Sequence, residues 1–72
     1  MNFSEALIHL KTGARLARTG WNGKGLRIQL QEPDGGSRMT KPYIFIADAQ
    51  HNTVPWAPSQ TDVLAEDWVL TW

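Results

Sequence analysis

The absence of cysteine from a chain of only 72 residues constrains this fold more than any other feature. A short domain has much surface for its volume and buries a smaller share of it than a large one does. Below roughly 70–80 residues a lone core supplies only a few kcal/mol, and small folds lean on disulfides, a metal or association. Disulfides and thiolate metal sites are excluded here. The two histidines, His9 and His51, stand far apart without metal-ligand spacing. Two routes remain. Copies of the chain associate, or a monomer packs tightly around its four tryptophans. Tryptophan suits either route, because it buries a large area and carries one N–H donor.

The hydrophobic periodicity predicts one α+β domain spanning residues 1–72, an N-terminal amphipathic helix on a small, mainly antiparallel sheet, with a short second helix before the C-terminal strand. Residues 2–12 read as the first helix. Asn2 is placed as N-cap with Glu5 completing a capping box. Phe3, Ala6, Leu7 and Leu10 share one face, and Gly13 stands where a left-handed C-terminal cap is expected. Residues 14–19 read as a short strand, with Leu16 and Arg18 on one side and Arg15 and Ala17 on the other. Gly20-Trp21-Asn22-Gly23-Lys24-Gly25 reads as a tight turn, since Asn and Gly both tolerate positive φ. Residues 26–31 alternate cleanly. Residues 43–49 are apolar on both faces, which predicts a central or interface strand. Thr53 to Trp56 reads as an edge strand, because Pro55 cannot donate to a ladder. Ser59 is a second N-cap with Asp62 at the capping-box position, opening a helix to about Glu66. Trp68 to Trp72 closes the chain as a strand, with both tryptophans assigned to core or interface.

Net charge is zero but unevenly spread. All seven Lys and Arg lie in residues 1–41 with three acids, and residues 42–72 hold four acids and no Lys or Arg. The halves therefore carry +4 and −4. They either pack together and neutralise each other or leave a local basic pocket for a small anion. A zero total argues against a protein that tracks polymeric nucleic acid, which rests on many phosphate contacts. No apolar run approaches the roughly 20 residues needed to cross a bilayer. The opening Met1-Asn2-Phe3-Ser4-Glu5 lacks a basic region and a long apolar stretch. A cytoplasmic protein with no membrane association is expected.

Catalysis has little support in the sequence. There is no Cys nucleophile and no Gly-x-Ser-x-Gly elbow. The run Gly20 to Gly25 is not a Walker loop, because Lys24 is followed by Gly25-Leu26. Binding has more. Trp21 lies in a turn, flanked by Arg18 and Lys24 and followed by Asn22. An aromatic face with cations and an amide suits a nucleotide, stacking on the base and pairing with phosphate. Trp21 serves equally well as a lid folded over a small core. The second run, Trp56-Ala57-Pro58-Ser59-Gln60-Thr61-Asp62, begins a helix, and free N–H groups there favour anions. Ordinary capping accounts for Ser59 and Asp62, but not for Gln60 and Thr61.

These two runs, with the opening Asn2-Phe3-Ser4-Glu5-Ala6-Leu7, the segment Ala17 to Gly25, Tyr43-Ile44 and the stretch Val54 to Trp68, resemble the Thoeris anti-defence protein family, second type. The resemblance covers nearly the whole chain. It implies a phage sponge that is not an enzyme, needs no cofactor, and works in the cytoplasm of the infected bacterial host. Such a sponge sequesters a cyclic ADP-ribose isomer made by TIR-domain proteins, so that the downstream effector stays inactive. The resemblance further implies a homotetramer with pockets between protomers and, in some members, cyclic di- or trinucleotides at a second site. Matched by motif, Trp21 and Asn22 belong to the ligand pocket, with Trp56, Ser59, Gln60, Thr61 and Asp62 from the second run and Arg18 and Thr19 beside the first. The competing expectation is a protein-interaction module that docks on a host partner through Trp68, Trp72 and the apolar strand.

Overall fold

A computed structural model describes residues 1–71. The element order is α1 (Phe3–Lys11), β1 (Arg15–Arg18), β2 (Arg27–Gln31), β3 (Tyr43–Ala47), β4 (Thr53–Pro55), α2 (Gln60–Leu64) and β5 (Trp68–Thr71). This is the α+β arrangement expected from the sequence. The strands form one antiparallel sheet in the order β4-β3-β2-β1-β5. Pro55 sits in the edge strand β4, where its missing N–H breaks no ladder, and the apolar β3 lies inside the sheet.

Helix α1 begins where local chemistry dictates. The Asn2 side chain accepts from the Glu5 N–H at 2.9 Å, and the Glu5 carboxylate accepts from the Asn2 N–H at 3.2 Å. It ends in a Schellman motif, with the Gly13 N–H donating to the Leu10 carbonyl and the Ala14 N–H to the His9 carbonyl. Gly13 takes φ +95° to close it. Ala6 and Leu10 are fully buried from this helix.

Strand pairing puts the complementary apolar row on the sheet. Leu16 lies opposite Ile28 in β2 and opposite Leu70 in β5, and Ile28 lies opposite Ile46 in β3. Directly paired residues share a face, so Leu16, Ile28, Ile46 and Leu70 all face α1. Arg18 and Trp68 are also paired, and they extend the same face. The core is Ala6, Leu10, Leu16, Ile28 and Trp68. Trp68 is 0 % exposed and is ringed by other aromatic side chains. Phe3 lies 5.4 Å from it, Trp21 5.3 Å and Trp56 5.9 Å between ring centroids, the two tryptophans edge-on. Its Nε1–H donates to the Asp62 carbonyl at 3.0 Å. Trp68 is therefore core, and no docking surface can be built on it. Trp72, paired with it in the sequence reading, lies outside the described residues.

Two expectations need correction. Helix α2 stops at Leu64 rather than near Glu66, because Ala65 is already extended at φ −70°, ψ 151°. The run after β1 is not a tight Asn-Gly turn. Eight residues, 19–26, separate β1 from β2, and among the described residues neither Asn22 nor Gly23 has positive φ. That conformation falls on Gly25, at φ +77°. A Cβ on Gly25 would also meet the Ala49 Cβ at 2.8 Å. Gly25→Ala is therefore expected to destabilise by about 1–3 kcal/mol, the cost of a side chain in an unfavourable backbone region. Gly35→Ala, with open space around it and no positive φ, should be neutral or stabilise by up to about 1 kcal/mol. Urea midpoints of the two variants check this, and equal effects would contradict it.

Candidate functional site

The two motif-bearing segments meet at one side-chain network. Arg18 ends β1 on the helix-facing side, beside Trp68. Its Nη1–H donates to Asp62 Oδ1 and its Nε–H to Asp67 Oδ1, both at 2.8 Å. Asp62 is the third residue of α2. Its Oδ1 also accepts from Trp21 Nε1–H at 3.1 Å, while its Oδ2 accepts from the Ser59 N–H and its own N–H donates to Ser59 Oγ. Asp67 Oδ2 accepts from the Gly20 N–H at 2.9 Å and from the Thr19 hydroxyl at 3.4 Å. One guanidinium thus ties the loop after β1 to both ends of the α2 segment.

The electrostatics follow from these bonds. The Arg18 hydrogen bond holds the Asp67 carboxyl below its ordinary range, with the Gly20 N–H adding to it. Burial pushes the Asp62 carboxyl up, but the Arg18, Trp21 and Ser59 donors outweigh it and leave that carboxyl below its ordinary range as well. Bonds to Asp67 and Asp62 raise the Arg18 guanidinium in turn. Arg18 is therefore matched by two carboxylates and is not a spare cation for phosphate.

The structure brings Arg18, Thr19, Trp21, Ser59 and Asp62 into this network. Trp21 is half-buried, with its edge on Trp68, so it is a lid on the core; its remaining surface lines a cleft. Trp56 packs on Phe3 at 5.9 Å and on Trp68, outside the network. Asn22, Gln60 and Thr61 are exposed, and among the described residues their side chains form no hydrogen bond. They remain available to a ligand.

Two depressions flank the network. One, of about 430 Å³, is lined by Arg15, Arg18, Trp21, Arg27, His51 and the glycines of the loop. The other, of about 310 Å³, is lined by Pro58, Ser59, Gln60, Val63 and Leu64. The two motifs therefore border different cavities within one chain. Arg15, Arg27 and His51 were not among the residues singled out in the sequence. The available signal was the basic excess of residues 1–41, but it did not say which cations converge.

The family described as Thoeris anti-defense 2-like domain matches residues 1–71. A curated relative, "Thoeris anti-defense 2" of Bacillus phage SP01, is 42% identical over 81 residues, covering 94% of this chain and 91% of its own length.

The network makes stability depend on acid. Asp62 and Asp67 have lower proton affinity folded than unfolded, so the unfolded chain binds more protons at mildly acidic pH. Their contribution is complete above the unfolded value near 3.8 and is lost as pH falls through the lower folded values. An Asp62→Asn/Asp67→Asn variant should be less stable at neutral pH and show a flatter dependence on pH in the acid range. Denaturant midpoints measured from neutral pH to about pH 2 read both effects. An unchanged slope would contradict the assignment.

Proposed function

We propose a function from one established premise: the chain belongs to the Thoeris anti-defense 2-like family, which gives it a phage anti-defence role. Within that role the chain acts as a sponge, binding a cyclic ADP-ribose isomer and releasing it chemically unchanged. The observation that carries this reading is the state of the carboxylates. Asp62 and Asp67 spend their oxygens on Arg18, Trp21, Ser59 and Gly20. Asp48 spends its own on Gln50 and Asn52. The carboxyl of each is held below its ordinary range, which makes it a weak proton acceptor at neutral pH, whereas a general base is best poised near the working pH. A hydrolase built on Asp62 or Asp48 therefore loses its base.

Exposed Asn22, Gln60 and Thr61 supply recognition groups around a rigidly held Trp21. Because the two motifs border separate depressions, a pocket that uses both is completed by another copy of the chain. A homotetramer with pockets between protomers fits that need, and a chain this small gains stability from it. Cyclic di- or trinucleotides occupy a second site in this reading. The protein works in the cytoplasm of the infected bacterium without binding nucleic-acid polymers or membranes.

A panel of cyclic ADP-ribose isomers tested by thermal shift, together with Asn22→Ala, tests the proposal, since a ligand that binds the native state raises the melting temperature by mass action. One isomer should stabilise the protein. Asn22→Ala should melt like the parent but bind that isomer up to about tenfold more weakly, as expected for one lost hydrogen bond. Trp21→Ala should lose both binding and stability, because its ring also packs on Trp68. No shift with any isomer, or wild-type affinity in both variants, would overturn the reading.

A further inference from the structure

The 430 Å³ cleft on the sheet face opposite α1 has a composition that the motif residues do not explain. Arg15 and Ala17 share that face of β1, and Arg27 reaches it from β2. The small Ala17 leaves the floor open between the two arginines. Among the described residues no carboxylate lines the cleft, and both ion pairs belong to Arg18. The charges of Arg15 and Arg27 are therefore not matched by a salt bridge among these residues.

Arg27 is held in place before any ligand arrives. Its Nη1 group donates to the Gly25 carbonyl at 3.0 Å and the Asp48 carbonyl at 3.1 Å. Its Nη2 group donates to His51 Nδ1 at 3.0 Å. A guanidinium has five N–H donors, so the Nε–H and one Nη2–H remain. With Nδ1 accepting, the His51 proton sits on Nε2, a further donor lining the cleft. His51 is the one residue other than glycine with positive φ among the described residues, at 65°, a conformation unfavourable for a side chain with a Cβ. The Asp48 carboxylate holds that turn by accepting from the Gln50 and Asn52 N–H groups at 2.9 and 3.0 Å. The turn thus keeps the imidazole against Arg27.

We propose that this cleft is an anion subsite that takes a diphosphate group between Arg15 and Arg27, with the His51 imidazole at its rim. Two guanidinium groups and one imidazole N–H match the many acceptor oxygens of a diphosphate, and planar guanidinium forks suit phosphate oxygens in particular. The subsite does not rest on the sponge reading. A free pyrophosphate and the diphosphate of a nucleotide share the chemistry, and the test separates them.

The experiment is an NMR titration of the isotope-labelled full chain with inorganic pyrophosphate, and separately with ADP-ribose, at about 0.15 M salt so that diffuse charge attraction is screened. Saturable shifts are expected at the Arg27 Nε–H and at amides of residues 15–17, 25–27 and 48–52. Arg27→Gln should weaken binding about tenfold or more, as expected for lost hydrogen bonds to a charged group. Arg15 is exposed, so Arg15→Gln should keep the wild-type spectrum and weaken binding several-fold; it decides the matter if Arg27→Gln unfolds. Tighter binding of ADP-ribose than of pyrophosphate supports a nucleotide source, and equal binding supports the anion alone. Shifts that never saturate, that extend equally to Arg38 and Lys41, or that persist unchanged in Arg15→Gln would overturn the proposal. Saturable pyrophosphate binding without any cyclic ADP-ribose binding would sink the sponge and leave the subsite standing.

Discussion

The carboxylate of Asp62 holds the two halves of this small protein together. It caps α2, receives the Arg18 guanidinium from the end of β1, and accepts the indole N–H of Trp21. Trp21 in turn covers Trp68, the largest buried side chain of the core. With no disulfide to close the chain, the link between residues 18–21 and 59–67 is made by these polar contacts and the aromatic ring beneath them. Arg18 is also a point where the uneven charge of the sequence is resolved, since its two partners both lie in the acidic half. That compensation is local. It leaves Arg15 and Arg27 to shape the cleft on the other face.

What could be read from the sequence was what local chemistry settles. The Asn2–Glu5 and Ser59–Asp62 capping boxes and the Gly13 cap each involve residues within a few positions of one another, and all three occur. The alternation in residues 26–31 and the edge placement of Pro55 also hold, because pleat and the missing N–H act locally. The long-range pairings were hidden. Arg18 finds Asp67 across 49 positions, and no periodicity announces that. The Asn22-Gly23 pair suggested a tight turn. The loop instead widens to reach Asp62 through Trp21, and the positive φ moves to Gly25, where Ala49 leaves no room for a Cβ.

The same division applies to the candidate site. Trp21 stood between lid and ligand platform in the sequence, and the structure gives it a lid's contacts with one surface left on a cleft. Arg18, offered as a phosphate partner, is occupied by two carboxylates. The cations that remain came from positions read only as the wet faces of strands. Asn22, Gln60 and Thr61, which capping and packing do not use, are the residues most plainly left for recognition.

The central claim is that this member of an anti-defence family holds its ligand without transforming it. Its most direct test is to mix the protein with a bound cyclic ADP-ribose isomer, remove free ligand by filtration, unfold the protein with heat, and analyse what is released by chromatography and mass spectrometry. The account predicts quantitative recovery of the intact cyclic molecule. Recovery of a ring-opened product of the same mass plus one water would contradict it.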